Sequence, residues 1–258
     1  MRSPESPPMK LSIITVVRND PRVAEAARSV VDQVFAGKLE YIVVDGASSD
    51  GTLAALAPFR DRIAHLRSEP DRGLYDAMNK GLALATGEVV GFLHADDRYP
   101  HAGVLARVAA AFADPQVQAC HGDLLMLKPG ESRRVLRYWR SGPFRRGSFQ
   151  RGWMPPHPTF FVRRDVYTRL GGFDLAFAVA ADFELMLRFL EVHGIASAYV
   201  PEVLVEMRAG GASNGSLAQI AAANGECRQA FRAHGLTPSP LFVPLKLGRH
   251  ALQLFRRT

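Results

Sequence analysis

Three acidic residues follow apolar runs of the kind that form buried strands. Asp45 comes directly after YIVV, and Asp96 and Asp97 follow VVGFL with only His94 and Ala95 between. In open parallel sheets the ligand lies beyond the carboxyl ends of the strands. Each Asp alone also suits a helix cap or a turn. Caps need not recur at the end of successive strands, so the joint placement favours a binding site.

The adjacent carboxylates offer hard oxygen ligands to Mg2+ or Mn2+. Such a cation keeps several waters and bridges phosphate oxygens, which suits a diphosphate leaving group. The tripeptide His94-Ala95-Asp96 is similar to a DxD metal motif whose first Asp is replaced by His. Asp96 is therefore the predicted metal ligand. His94 is either a contact to phosphate or ribose, or a loop histidine with its hydrogen bonds satisfied.

A repeating strand, loop and helix pattern positions these residues. Residues 11–17 (LSIITVV) form a β-branched run, and Asp20-Pro21 then precedes apolar positions at helical spacing from Val23 to Val34. The same cycle predicts strands at residues 41–44, 63–67 and 89–93, a helix from Thr52, and a helix over residues 74–85 that Gly87 closes. Near-continuous apolar strands alternating with helices indicate an α/β fold with a mostly parallel sheet flanked by helices.

The second half of the chain has a less regular pattern. A strand is expected at residues 159–162, a break at Gly171-Gly172 and a helix over residues 180–192. We expect this half to complete the sheet and to form the acceptor side. The predicted organisation is a disordered extension (residues 1–9), a single catalytic domain (residues 10–215) and a basic helical C-terminal tail (residues 216–258).

Composition limits the classes of partner and compartment. Of the formal net charge of +7, much lies in residues 132–164, which hold nine Arg and no acid. This implies an acidic partner such as nucleic acid, anionic lipid or a sugar pyrophosphate. The two cysteines have no metal-binding spacing, and no apolar stretch approaches the ~20 residues that span a bilayer. A cytoplasmic protein is expected.

Several catalytic signatures do not occur in the sequence. It contains no GxxxxGK[ST], no GxGxxG after the first strand, no GxSxG and no HExxH. P-loop nucleotidases, dinucleotide oxidoreductases, α/β-hydrolases and zinc proteases of the HExxH type are therefore disfavoured.

Five segments in order carry a family resemblance. They are SIITVVRND from Ser12, YIVVDGASSDGT from Tyr41, SEPDRGLYDAMNKGLALATGEVVGFLHADD from Ser68, HPTFFVRRDVYTRLGGFD from His157 and AADFELMLRF from Ala180. Over about residues 10–210 the chain resembles a family 2 glycosyltransferase, close to the branch that includes colanic-acid and mycobacterial glycolipid enzymes. The resemblance implies a Rossmann-like sheet of the GT-A type. The combination is specific, whereas one piece such as DGASSDG would be weak support.

The resemblance also implies which residues bind the donor. They are Thr15, Val17, Asp45, Arg72, Asp76, Asn79, His94, Ala95 and Asp96. Thr15 and Asp45 would hold the nucleotide base, with Asp45 accepting a hydrogen bond from a ring N–H of a uracil-type imide. Arg72 would give charge-assisted hydrogen bonds to the diphosphate. Asp76 and Asn79, three residues apart, equally suit a solvated helix face.

The resemblance assigns catalysis to Asp182, at the start of the predicted helix. As general base it would remove the proton of an acceptor hydroxyl while that oxygen attacks the anomeric carbon and inverts it. Such a base contributes roughly 10²- to 10⁴-fold in rate. The alternative is a first-turn Asp that complements the helix dipole. Glu184 is the fallback base, since residues two apart on a helix point in different directions.

The phosphate or acceptor region is expected to include Asp97, Trp153, His157 and Glu184. Trp153 suits stacking on a sugar face, but it equally suits the core. The Arg-rich residues 133–151 would cover the diphosphate, face a lipid-pyrophosphate acceptor, or form solvated loop charge.

Together these residues predict an inverting, metal-dependent transferase. The donor is a nucleotide-sugar, with UDP the expected nucleotide, and the acceptor is a hydroxyl of a lipid-linked or glycan molecule of the cell surface. One alternative is a sugar-nucleotide nucleotidyltransferase, although TVVRNDP stands where that class has a Gly-rich basic loop. Another is a basic nucleic-acid-binding module, which would leave the strand-end carboxylates unexplained. Nucleic acid is therefore not an expected partner.

The tail after Pro240 (LFVPLKLGRHALQLFRRT) mixes apolar side chains with Lys246, Arg249, Arg256 and Arg257 and contains no acid. This composition is typical of an interfacial amphipathic segment, and it predicts peripheral contact with the inner face of the cell membrane. A helix docked on the catalytic core, or on a second subunit of a homodimer, is the alternative.

Overall fold

The computed structural model describes residues 8–128, 134–209 and 217–254, and strands and helices alternate along much of them. The strands are β1 (Lys10–Val17), β2 (Lys38–Asp45), β3 (His65–Ser68), β4 (Val89–Phe92), β5 (Asp97–Arg98), β6 (Ala119–Leu127), β7 (Val135–Trp139), β8 (Phe161–Arg163) and β9 (Ser197–Arg208). The helices are α1 (Val23–Val31), α2 (Thr52–Leu56), α3 (Leu74–Leu84), α4 (Val104–Ala111), α5 (Arg164–Leu170), α6 (Ala181–Leu187), α7 (Leu217–Ala233) and α8 (Phe242–Leu254).

Within these ranges the strands form one sheet, in the order β3-β2-β1-β4-β8-β6-β9-β5 with β7 paired to β6. Strands β3, β2, β1 and β4 are parallel, so the carboxyl ends of β1, β2 and β4 lie at one edge. Strand β8 is antiparallel to β4 and β6, and the β6–β9 pair is parallel again. The predicted α/β class with a mostly parallel sheet is confirmed.

Side chains of the central strands alternate between two apolar cores. Ile14 of β1 packs with Met78 of α3 on one face, and Ile13 packs with Val30 of α1 on the other. Successive side chains of a strand point to opposite faces, and both faces here are covered, so most positions of these strands are apolar; Ser12, Thr15 and Glu40 are buried polar exceptions. Full burial of each such side chain contributes about 1.5–3 kcal/mol.

Some local boundaries differ from the expected ones. Helix α1 ends before Val34, which is 72% exposed. Helix α3 is ended by extended backbone at Ala85, so the prediction that Gly87 closes it is wrong. Gly87 instead permits a close approach to β1, because a Cβ there would lie 2.5 Å from Ser12 Oγ. The strand predicted at residues 159–162 begins later, since the triplet HPT forms a 3₁₀ turn.

The C-terminal helices pack on the same core as the sheet. Phe231 of α7 and Phe242 of α8 are fully buried, their ring centroids are 5.3 Å apart, and both contact Phe183 of α6. Helix α8 is thus docked on the catalytic core, one of the alternatives that the sequence left open. Helix α6 continues as a π-helical turn to Val192, so the helix predicted over residues 180–192 is confirmed.

Parts of the predicted extension and tail lie outside the described residues. These are residues 1–7, residues 255–258 and the predicted domain boundary at residue 215, which falls within the span 210–216. Met9, the last residue of the predicted extension, is buried, and its carbonyl accepts a hydrogen bond from Lys38 N–H. No helix of the described ranges is long and apolar enough to cross a bilayer.

Both cysteines are buried free thiols. Burial raises the pKa of the Cys227 thiol to about 11 and raises that of Cys120 further. Each is therefore protonated at neutral pH and acts as a packing residue.

Candidate active site

The loops that follow β1 and β2 brace each other at the carboxyl edge of the sheet. Asn19 N–H donates to Ser48 Oγ (2.8 Å), and Ser49 N–H donates to Asn19 Oδ1 (2.9 Å). Asn19 and Ala47 both have positive φ, 51° and 55°, which is uncommon for residues other than glycine. Strained backbone of this kind persists where surrounding contacts hold it, and it clusters at binding sites.

Asp45 ends β2 and is fully buried. Its Oδ2 accepts hydrogen bonds from Ser48 N–H (2.9 Å) and the Ser68 hydroxyl (2.6 Å), and its Oδ1 accepts one from the Ser48 hydroxyl. A carboxylate has about four acceptor positions, so Oδ1 can accept one more donor. Val17 pairs with Asp45 in the sheet. Thr15 lies deeper, where its hydroxyl accepts a hydrogen bond from the Tyr41 hydroxyl (3.1 Å).

The segment after β4 places its two carboxylates differently. Asp96 is partly exposed and lies in the electrostatic field of Arg22, whose guanidinium donates to Asp20 Oδ1 (2.8 Å) and Oδ2 (2.6 Å). Asp97 is 2% exposed, and neither of its oxygens has a hydrogen-bond partner. Burial, and then the charge of Asp96, raises the pKa of Asp97 well above its usual range. An unpartnered buried carboxyl group is unfavourable unless a cation or a donor reaches it.

These residues fit a divalent cation held only partly by protein. No group of three or more His, Cys, Asp or Glu side chains that could hold a metal occurs in the described ranges. Two adjacent carboxylates suit an ion that takes its other ligands from water and phosphate. Ala95 is buried between His94 and Asp96 and offers only its backbone.

An aromatic wall leads away from this segment. The rings of His94 and His157 are stacked with centroids 6.0 Å apart, and His157 contacts Phe173 at 5.6 Å. Tyr75 of α3 stacks on Phe173 at 5.5 Å. Burial, and then the charge of His94, lowers the pKa of His157 to about 3, and burial lowers that of His94. Both imidazoles are therefore neutral at physiological pH and offer N–H groups rather than positive charge.

The predicted donor residues of α3 already have protein partners. Asp76 is buried and accepts hydrogen bonds from Arg72, through the guanidinium (2.9 Å) and the backbone N–H (3.1 Å). These bonds lower the pKa of Asp76. The Asn79 amide donates to Phe173 O (2.8 Å) and accepts from Phe173 N–H (2.9 Å). Asn79 therefore fixes the aromatic wall, and only Arg72 of this set is well exposed.

Asp182 lies at the start of α6, at the far end of the wall. Its Oδ1 accepts hydrogen bonds from the Tyr75 hydroxyl (3.3 Å) and Phe183 N–H (2.8 Å), and the carboxylate is partly exposed. Burial raises the pKa of Asp182, and the Phe183 N–H is the largest opposing influence. A carboxylate with a raised pKa and free acceptor positions is suited to general base catalysis.

Glu226 of α7 holds the backbone that leads into Asp182. Its Oε1 accepts from Ala178 N–H (3.1 Å), and its Oε2 accepts from Val179 N–H (2.9 Å) and Ala180 N–H (2.8 Å). Glu226 thereby pairs three successive backbone N–H groups that directly precede α6. The position of Asp182 therefore depends on a side chain from the tail.

Glu184 has a different role from Asp182. It is 2% exposed, its Oε1 contacts Arg188 Nε (2.8 Å) and His234 Nε2 (2.7 Å), and its Oε2 accepts from Arg188 (3.1 Å). Arg188 also donates to the carbonyl of Gly172 (2.7 Å). Both oxygens are engaged, and so Asp182 is the carboxylate of α6 that is open to a substrate.

Trp153 lies in the core rather than on the surface. It is 8% exposed, its indole N–H donates to Ser141 O (2.7 Å), and its ring contacts Phe149 and Phe144 at 5.6 Å. This position corresponds to the core alternative that the sequence left open for Trp153.

Sequence reasoning missed four residues that define this site: Arg22, Tyr75, Glu226 and Lys246. Arg22 lies in the loop after the first strand, and this position alone could have indicated a site residue. Tyr75 contacts Asp182, Glu226 holds the backbone before it, and Lys246 acts on it through its charge. All three come from segments distant in the sequence, and no motif spacing predicts such interactions.

Comparison with known families identifies the chain. The profile of glycosyl transferase family 2 matches residues 12–171. The chain belongs to this family. This glycosyltransferase is 34% identical over 183 residues to an uncharacterised glycosyltransferase of Mycobacterium tuberculosis, with 69% of this chain and 68% of that one covered. It is 30% identical over 208 residues to a PGL/p-HBAD biosynthesis glycosyltransferase of Mycobacterium bovis, with coverage of 79% and 78%.

Solved structures confirm the GT-A fold of this family 2 glycosyltransferase. A mannosyltransferase of Pyrobaculum calidifontis, solved with GDP-Man and Mn2+, superposes with a TM-score of 0.64 at 24% identity, covering 97% of this chain and 71% of that one. TarS of S. aureus, solved with UDP-GlcNAc, gives a TM-score of 0.68 at 17% identity, with coverage of 94% and 72%. The family assignment favours transfer over the nucleotidyltransferase and nucleic-acid alternatives.

Proposed function

We propose that this glycosyltransferase transfers a sugar, with inversion, from a nucleotide-sugar to a hydroxyl of a lipid-linked or glycan acceptor in cell-surface polysaccharide or glycolipid synthesis. One observation carries the proposal. The wall His94, His157, Phe173 and Tyr75 is continuous from the carboxylates after β4 to the carboxylate of Asp182. A donor diphosphate at one end and an acceptor hydroxyl at the other would meet along it.

The chemistry follows from the charge on each residue. Asp182 would take the proton of the acceptor hydroxyl while that oxygen forms a bond to the anomeric carbon and the nucleoside diphosphate departs with the bonding electrons. Asp96 and Asp97 would hold Mg2+ or Mn2+, which when bound neutralises charge on the leaving diphosphate. Asp45 would accept a ring N–H of the base at the free position of Oδ1.

The relatives support a nucleotide-sugar and a divalent cation. One structural relative was solved with GDP-Man and Mn2+ and the other with UDP-GlcNAc, and one sequence relative acts in PGL/p-HBAD biosynthesis. UDP is our preferred nucleotide, because a buried carboxylate such as Asp45 can accept the imide N–H of uracil; thymine and guanine also carry a ring N–H, so dTDP- and GDP-sugars are compared with it below.

A screen of UDP-, GDP- and dTDP-sugars tests the proposal. We expect one nucleotide series to raise the melting temperature with Mn2+ and to lose that effect in EDTA, because ligands that bind only the folded state stabilise it. Release of the nucleoside diphosphate should accompany binding. The proposal fails if no nucleotide-sugar binds while RNA binds in a salt-sensitive way, or if the protein forms a nucleotide-sugar from a nucleoside triphosphate.

We also propose that α8 makes peripheral contact with an anionic membrane. Leu245 and Leu252, seven residues apart on one face of α8, are 41% and 64% exposed, and Leu241, just before the helix, is 61% exposed. Arg249 lies on the same helix. Each basic residue near an anionic leaflet contributes on the order of 1 kcal/mol. Apolar and basic side chains together suit the bilayer interface.

Substitution tests this contact better than truncation, because removal of α8 would also remove the buried Phe242. We expect the double variant Leu245→Ser, Leu252→Ser to fold normally and to lose most of its flotation with anionic liposomes. Leu175→Ser, at another exposed leucine, is the control. Equal flotation of the double variant and the wild type would exclude the leucine face as the anchor.

A further inference from the structure

A basic cleft lies between the end of β7 and α8. Arg140, Lys246 and Arg249 line it together with Trp139 and Gln253, and none of the described residues that line it is acidic. Helix α8 is held tightly there, since a Cβ on Gly152 would lie 2.4 Å from the backbone N of Lys246. Close packing therefore fixes Lys246 and Arg249 of α8 opposite the end of β7.

Arg137 of β7 adds a buried cation beside the cleft. Its guanidinium lies over the Trp139 ring at 4.6 Å, and its Nε donates to Gln253 Oε1 (2.6 Å). The residue is 9% exposed, and its second terminal nitrogen is buried without a hydrogen-bond partner. Desolvation lowers the pKa of Arg137 to about 10. A guanidinium that is buried without an anion is costly, and an oxyanion would relieve that cost.

The cleft adjoins the candidate base. The Lys246 ammonium lies 6.0 Å from the centre of the Phe183 ring, and Phe183 directly follows Asp182. The charge of Lys246 also acts on Asp182, whose pKa it lowers against the effect of burial. An anionic group in the cleft would therefore lie near the candidate base.

We propose that this cleft binds a phosphoryl group of the acceptor, with Arg140, Lys246 and Arg249 as the residues that line it and the buried Arg137 as a further positive charge beside them. The inference rests on the proposed function, and it narrows the acceptor to a phosphorylated molecule. Arginine forks match phosphoryl oxygens with paired hydrogen bonds, and the partly exposed Trp139 offers apolar surface to the rest of the acceptor.

Calorimetry with the full-length protein in EDTA tests the cleft. The probes are hexyl phosphate, which carries a phosphoryl group on an alkyl chain, and inorganic pyrophosphate as a free anion. We expect hexyl phosphate to bind the wild type and to lose about tenfold or more in affinity in Arg137→Met and in Lys246→Gln, since hydrogen bonds to charged groups are strong. Arg232→Gln, at an exposed arginine of α7, is the matched control and should bind as the wild type does.

Other outcomes would overturn the inference. Binding of pyrophosphate alone would make the cleft a site for free anions, and equal affinity in all variants would exclude it as a phosphoryl site. Arg249→Gln replaces Arg137→Met if the latter does not fold. UDP-sugar binding with Mn2+ is measured on the same proteins. If UDP-sugar binding is retained while the hexyl phosphate experiment gives either of these negative results, only this inference fails. If the wild type does not bind a UDP-sugar, the proposed function fails.

Discussion

Asp182→Asn should lower turnover by roughly two orders of magnitude or more while donor affinity stays within a few fold, because the variant loses proton abstraction but keeps its shape. An amide oxygen can still accept the hydrogen bonds from the Tyr75 hydroxyl and Phe183 N–H. Steady-state rates at saturating donor, together with calorimetry for the donor, measure the two effects separately.

The pH dependence gives a second measure of the same group. Burial raises the pKa of Asp182, and a base acts only when deprotonated, so the rate should fall as the pH drops through that raised pKa. The acidic limb should therefore lie above the ordinary carboxyl range and should be absent from Asp182→Asn. Asp165→Asn, at the exposed first-turn Asp of α5, is the control for a helix-dipole role. Equal losses in both variants would favour that role.

Asp96→Ala should abolish metal-dependent donor binding and reduce transfer by roughly two to three orders of magnitude, because a metal on the diphosphate stabilises the leaving group by several kcal/mol. The protein should fold normally, since Asp96 is partly exposed. Titration of UDP in Mn2+ and in EDTA measures the metal-dependent part of the affinity. Undiminished Mn2+-dependent binding in the variant would remove Asp96 from the metal site.

Two further variants separate metal binding from recognition of the base. Asp45→Asn should weaken UDP and UMP alike, with or without Mn2+, because it changes the acceptor that faces the base. Asp61→Ala, at an exposed carboxylate away from the strand ends, should leave all these affinities unchanged. A change in sugar preference alone in Asp45→Asn would contradict the role in base recognition.

Much of the fold was predictable because each element carries its own signal. The apolar runs of β1, β2 and β4 lie in a sheet that is covered on both faces, and a near-continuous apolar sequence is typical of such strands. The antiparallel direction of β8 was not predictable, since the sequence of a three-residue strand does not indicate how it pairs with neighbouring strands. The end of α3 was misplaced because Gly87 serves a backbone contact with β1 rather than a cap.

The residues of the candidate site were likewise predictable only in part. Asp45, Asp96 and Asp182 stand at the ends of elements, where local pattern and family resemblance both find them. The preference for Asp182 over Glu184 rested on the family resemblance alone, because only the fold brings Arg188 and His234 to Glu184. The unpartnered oxygens of Asp97 and the partners of Asn79 likewise depend on contacts between distant segments.

The hydrogen bonds from the backbone before Asp182 to Glu226 affect how hybrid enzymes can be made from two members of this family. The family profile ends at residue 171, before Asp182 and well before the carboxylate that holds its backbone in place. A hybrid joined at that limit would take both the base and its support from one parent, whereas a junction between residues 182 and 226 would take them from different parents. Exchanges that keep residues 172–254 from a single parent would keep the two together.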